Sequence, residues 1–177
     1  MKEEKIRRFL SMAVIVGGIA IVIICTVYQN HFYRVPHKVH LSGYNDAANI
    51  ETKYDISIEK ENQDYDKVSG WILARGHEIV EFDTQIILYE DGSDEGLLWL
   101  TQMENRTDVT EMMNDGTNYD ESGFQTMIPS KYVEGKDYKI AIAFYVDQER
   151  YILKTDQEFV VEDEKIDILV IKDEKTY

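Results

Sequence analysis

The sequence predicts an all-β fold, a two-layer antiparallel sandwich, carried behind one transmembrane helix. Three observations lead there: an uncharged apolar run near the N-terminus, an alternation of apolar and polar residues beginning just beyond position 52, and turn chemistry that recurs at short intervals from there on. The apolar run extends from Phe9 to Tyr28 and reads FLSMAVIVGGIAIVIICTVY. As a helix rising ~1.5 Å per residue it reaches across the roughly 30 Å hydrocarbon core of a bilayer. It ends in Val27, Tyr28, Gln29 and Asn30 without a small-residue cleavage pattern, which makes it an uncleaved signal-anchor. Val22, Ile23 and Ile24 precede Cys25 where lipid attachment needs a small residue, so Cys25 reads as a membrane-buried thiol. Lys2, Lys5, Arg7 and Arg8 precede the run, against Arg34 and Lys38 after it. This basic bias assigns residues 1–8 to a cytoplasmic tail, residues 9–28 to the membrane and the C-terminal part to the outside. Tyr28, Phe32 and Tyr33 stand where an aromatic belt anchors the outer interface, and Ala13 and Gly17, with Gly18, give a small-xxx-small spacing that permits close helix approach.

Residues 29–52 mix His31, Pro36, His37, His40, Gly43, Asn45 and Asp46 without periodicity and read as a stalk, leaving 53–177 as the folded domain. In that domain Tyr54, Ile56 and Ile58 alternate with Asp55, Ser57 and Glu59, the mark of a strand with one face buried. Val68 to Ala74 and Ile79 to Tyr89 are the next strands, the latter holding Phe82 and an Ile86-Ile87-Leu88 run that suggests burial on both faces or a bulge. Asp91-Gly92 predicts a hairpin into Leu97 to Leu100, and Asp147-Gln148-Glu149 predicts a second one between Tyr138 to Val146 and Arg150 to Lys154. Phe124 to Ile128, Glu158 to Val161 and Ile166 to Ile171 complete the strands. The long polar interruption Gln102 to Ser122 holds one helical turn, with Asp108 as its cap, Glu111 three residues on and Met112 and Met113 packing inward. Many short strands with a single crossover add up to a sandwich of immunoglobulin-like architecture, without the disulfide that marks antibody domains.

Charge narrows the partners. Of 19 basic and 34 acidic residues, six and two lie in the first 38 positions, leaving 13 against 32 beyond them, a difference of −19. Such a field disfavours nucleic acid and anionic lipid and favours cations, basic peptides or positively charged wall components. With Cys25 as the single cysteine, the domain has no internal disulfide or thiolate metal site, and its stability rests on a hydrophobic core.

Gly70-Trp71, Arg106-Thr107-Asp108-Val109, Ser122-Gly123-Phe124, Ile128-Pro129 and Tyr138-Lys139-Ile140 together resemble the pattern of immunoglobulin-like extracytoplasmic modules in bacterial cell-envelope membrane proteins, some of them linked to surface polysaccharide assembly. The resemblance runs over roughly residues 68–146 and implies a fold more than a role. Read from the residues, Arg106 and Asp108 form a half-buried ion pair that pins the crossover, or Arg106 contacts a sugar or carboxylate where loops gather. Gly123 permits a tight turn before Phe124 enters the core. Trp71 and Trp99 are core residues, or platforms for sugar stacking if a face is exposed. Asp91, Ser93, Asp94 and Glu95, and likewise Asp115, Asn118, Asp120 and Glu121, offer oxygen ligands, yet neither stretch has the spacing of a calcium loop, so Asp91, Asp94 and Asp120 read first as solvated turn residues. Asn105-Arg106-Thr107 is a formal glycosylation sequon.

No nucleophile elbow, His-Glu-x-x-His, phosphate-cradling loop or cysteine nucleophile stands in the domain, and its only histidine, His77, lies in a turn-like Arg75-Gly76-His77-Glu78. The expectation is a non-enzymatic, cofactor-free binding module of the cell envelope, held at the membrane through Phe9–Tyr28, whose partner is an envelope protein or a glycan. The alternative is an accessory subunit of a membrane complex such as a polysaccharide-assembly or transport system.

Overall fold

The computed structural model describes residues 2–160; the strand expected at Ile166–Ile171 lies outside them. Helix α1 (Lys2–Arg34) contains the apolar run and continues past it, giving a rod of about 50 Å that is long and apolar enough to cross a membrane. Its side chains are exposed along the run. It stops where Pro36 begins to act, because proline restricts the residue before it and offers no N–H to the ladder.

The segment after α1 is not a stalk. Strand β1 (His37–His40) pairs antiparallel with β6 (Glu95–Leu100), and the short β2 (Asn45–Asp46) pairs parallel with β10 (Glu149–Val160). The remaining strands are β3 (Thr52–Asn62), β4 (Tyr65–Ala74), β5 (Gln85–Tyr89), β7 (Gln102–Glu104), β8 (Gly123–Pro129) and β9 (Asp137–Val146), with helix α2 (Thr107–Met113) in the crossover between β7 and β8. They form a six-stranded sheet, ordered β1-β6-β5-β9-β10-β2, and a four-stranded sheet, ordered β3-β4-β8-β7.

The inner faces meet in one core. Ile56, Val68, Ile72, Phe124 and Ile128 come from the four-stranded sheet, and Ile86, Leu88, Trp99, Ile140, Ile142, Phe144 and Phe159 from the other. A second cluster, with Leu41, Ile87, Tyr89, Leu98, Ala141 and Ile152, lies on the outer face of the six-stranded sheet. Val39 and Tyr44 pack against it, so the segment expected to be a stalk covers that face instead. Both faces of β5 are thereby buried, which accounts for the unbroken Ile86-Ile87-Leu88 run. A third cluster joins Trp71 and Leu73 to Val109 and Tyr119 on the outer face of the four-stranded sheet, beneath α2.

Local chemistry explains the joints. Asp147 and Gln148 both take positive φ, 50° and 70°, the backbone of a two-residue hairpin turn whose twist suits the flanking strands. The stretch Arg150 to Val160 is one strand where the sequence suggests two. A register shift between Lys154 and Glu158 breaks its alternation, and Thr155 turns inward to donate to the Ile140 carbonyl at 2.8 Å. The strand expected from Ile79 begins only at Gln85, and residues 77–84 form an irregular loop that leaves Val80 and Phe82 exposed.

Candidate functional site

The crossover gathers Arg106, Asp108, Asp120 and Trp71, four of the residues singled out in the sequence. Arg106 is the residue that caps α2, and its guanidinium donates through Nε and Nη2 to the two carboxylate oxygens of Asp108, 2.8 Å each. Asp108 therefore does not cap the helix as expected; it sits in the first turn with its oxygens turned to Arg106. The side chains are 31% and 64% exposed, so this is a surface pair rather than a half-buried one. The hydrogen bond holds the Asp108 carboxyl below the usual carboxylate range and raises Arg106 further. Met112 points out to solvent, while Met113 and Val109 pack inward.

The crossover is fastened mainly elsewhere. Thr110 donates its hydroxyl to Asp120 at 2.6 Å and accepts the Tyr119 N–H at 2.8 Å, and the Arg106 N–H reaches the Asp120 carbonyl. Tyr119 is fully buried, and its hydroxyl accepts the Gly76 N–H at 2.6 Å and donates to Asp115 at 3.0 Å. Gly123 takes an extended backbone, φ −77°, so no tight turn needs it. The glycine is required by crowding instead, since a Cβ there would stand 2.6 Å from both the Arg106 Cγ and the Glu104 carbonyl.

Trp71 and Trp99 are not brought together. Trp71 packs under α2 on the outer face of its sheet, and Trp99 is fully buried between the sheets, so neither presents a face for a sugar to stack on. Asp91 pairs with Lys139 at 3.0 Å, and Asp94 accepts the Ser42 amide and hydroxyl at 2.8 Å each with His40 at 3.4 Å. Asp91, Asp94 and Asp120 thus face separate partners, and among the described residues no three His, Cys, Asp or Glu side chains converge as a metal site.

The loop of residues 77–84, of which the stretch from Ile79 is strand-like in sequence, is the most exposed apolar loop among the described residues of the domain. Val80 is 71% and Phe82 51% exposed. His77 Nδ1 lies 3.0 Å from Asp147, and Arg150 donates to Asp83 at 3.2 Å, so both ends of the loop are tied to the β9–β10 hairpin. Ile79, Glu81, Thr84, Phe144 and Tyr145 border a cleft of about 10 Å³ beside it, with room for roughly one water. A better signal lay in the mixture Glu78-Ile79-Val80-Glu81-Phe82-Asp83, whose charges at both parities suit no half-buried strand.

A mostly β protein with two sheets and one apolar N-terminal helix is the class these features define. No family model matches the chain, and neither the curated proteins nor the solved structures compared with it include a match.

Proposed function

We propose that this chain is a membrane-anchored, extracytoplasmic, immunoglobulin-like binding module, non-enzymatic, that offers the 77–84 loop to an envelope protein or glycan. The architecture is supported by strand order: in chain sequence β3, β4, β5, β6, β7, β8, β9 and β10 take the places of strands A, B, C, C′, D, E, F and G, giving A-B-E-D against C′-C-F-G. In that scheme the 77–84 loop and the β9–β10 turn are the B–C and F–G loops, which share one end of the sandwich. The observation that carries the binding role is that exposed Val80 and Phe82 lie between two polar ties, the His77–Asp147 contact and the Arg150–Asp83 ion pair, because a contact surface held in place loses little entropy on binding. The basic N-terminal tail supports a cytoplasmic N-terminus and an outward domain.

The test is a photoreactive phenylalanine analogue placed at Phe82 in the full-length chain in its native membrane, with the same analogue at Val16 on α1 alongside. An adduct at Phe82 that disappears in a Val80→Ser background supports the module. Adducts at Val16 alone would overturn it in favour of an accessory subunit, a reading for which the open space around Gly17 and Gly18 speaks.

A further inference from the structure

Strand β3 is the outermost strand of the four-stranded sheet, and every residue in it except Thr52 and Ile56 is exposed. The C-terminal end of α1 meets β6 and β8, and its Arg34 reaches Tyr65 at the start of β4, so the contacts of the anchor stop short of the outer edge of β3. The phase of its ladder is fixed by one bond. The Arg75 N–H donates to the Glu51 carbonyl, and Thr52 opposes Ala74, so odd-numbered residues direct their backbone groups toward β4. Even-numbered residues from Thr52 to Lys60 then direct theirs to the outer edge, which no strand pairs with among the described residues. Apart from the charges of Lys53, Asp55, Glu59, Lys60 and Glu61 the edge is uninterrupted: β3 has no proline, and its one irregularity is confined to the Lys60–Asn62 end. On the core side of this edge Tyr54 and Ile58, which flank buried Ile56, remain 36% and 40% exposed.

We propose that β3 pairs antiparallel with β3 of a second copy of this chain, about a twofold axis at Ile56, joining two four-stranded sheets into one. Charge favours this register over its two immediate neighbours. It sets Lys53 against Glu59 twice, Tyr54 against Ile58 twice, Ile56 against itself and Asp55 against Ser57. Moving the axis one residue to Ser57 sets Asp55 against Glu59, and moving it to Asp55 sets that carboxylate against its own copy. The strand holds two lysines and three carboxylates in a domain with 13 basic and 32 acidic residues beyond position 38, so two strongly acidic domains approach here with little local repulsion. In the bonded register the even-numbered amides of each copy meet the even-numbered carbonyls of the other, which satisfies the edge that solvent otherwise solvates.

The experiment uses the full-length chain with Cys25→Ser, since the domain has no cysteine of its own. Two differently tagged populations, one with Asp55→Cys and one with Ser57→Cys, are reconstituted together in phosphatidylcholine vesicles and oxidised. These two positions face each other as a pair without hydrogen bonds, with Cα atoms about 4.5 Å apart, within reach of a disulfide. The expected result is a disulfide between the two tags at least about tenfold more abundant than between copies of either variant alone. Adding Lys53→Glu to both lowers that yield about tenfold, and adding Glu59→Lys as well restores it, because the two facing pairs turn repulsive and then attractive again. Equal yields in all tag combinations, or no response to Lys53→Glu, would overturn the register and with it the proposal. So would attachment of β3 to residues beyond 160 of the same chain, which would make the edge intramolecular.

Discussion

The hydroxyl of Tyr119 accepts the amide N–H of Gly76 at 2.6 Å, across 43 positions of sequence. Gly76 ends the turn after β4 with φ at +78°, a conformation that orients its N–H away from the strand ladder and toward the crossover. The same hydroxyl donates to Asp115, whose carboxylate also accepts the Thr117 N–H and lies 3.7 Å from Arg75. One buried tyrosine thus joins the crossover to the end of the four-stranded sheet, a role the sequence suggested for Arg106.

Tyr119→Phe keeps the ring in its apolar cluster and removes only the hydroxyl, leaving the Gly76 N–H without that acceptor. The expected cost is about 1–3 kcal/mol in urea unfolding. Asp108→Ala, which removes the exposed partner of Arg106, is expected to shift the midpoint far less. If Asp108→Ala proved the more damaging of the two, the crossover would be pinned at its N-terminal end instead.

Asp94 ties the β5–β6 turn to the segment after β1. Hydrogen bonds from the Ser42 hydroxyl and then the Ser42 amide, with His40 adding less, hold its carboxyl below the usual range. A carboxyl depressed by folding contributes its full stabilisation above the unfolded value of about 3.9, and loses it as pH falls through the lower folded value. Wild type and Asp94→Asn should therefore differ in Tm at pH 7 and converge as the pH drops below about 3.9. A gap that stays constant to pH 2 would mean that ionisation of Asp94 contributes nothing.

Most strands were legible from Tyr54 onward because they carry apolar residues at the right parity and turns of recognisable chemistry, as at Asp91-Gly92 and Asp147-Gln148. The segment from His37 to Asn49 was not, because it packs as a cover: Leu41 is buried by contact with a distant sheet, and Pro36, Gly43 and Asn45 read locally as linker. Residues 79–84 misled in the other direction, since Val80 and Phe82 have strand-like propensity yet stand in solvent. The capping error at Asp108 has a similar origin: the carboxylate that would accept a helix N–H accepts the neighbouring guanidinium. At the candidate site the residue types were readable, but which of them were buried depended on where α2 lies over the sheet.

Both tryptophans test the glycan-platform idea directly. With Trp99 fully buried and Trp71 beneath α2, native fluorescence should be blue-shifted, resist acrylamide and stay unchanged on adding saccharides. Trp99→Ala is expected to cost about 3–5 kcal/mol, while Trp99→Phe costs less, because it leaves a smaller cavity; both remove an indole N–H that is buried without a partner among the described residues. Saccharide-dependent quenching would require a tryptophan face open to solvent and would contradict this packing.

Gly70 lies in β4 opposite Ile56, and a Cβ there would collide with the Asp55 carbonyl of β3. The clash is with backbone, which cannot rotate aside as a side chain can, so Gly70→Ala must push β3 off the sheet or distort both strands. The expected loss is about 1–3 kcal/mol, the range for overpacking. It should appear as faster amide hydrogen exchange confined first to β3 and the facing residues of β4, because β8 on the other side of β4 keeps its own ladder. Gly123→Ala is the comparison, since part of its crowding is the Arg106 side chain, which can move, and part the Glu104 carbonyl, which cannot. It should therefore cost less than Gly70→Ala and loosen β7 rather than β3. Protection unchanged along β3 in Gly70→Ala would show that the β3–β4 spacing has slack, and that the glycine next to Trp71 is not there for close strand approach.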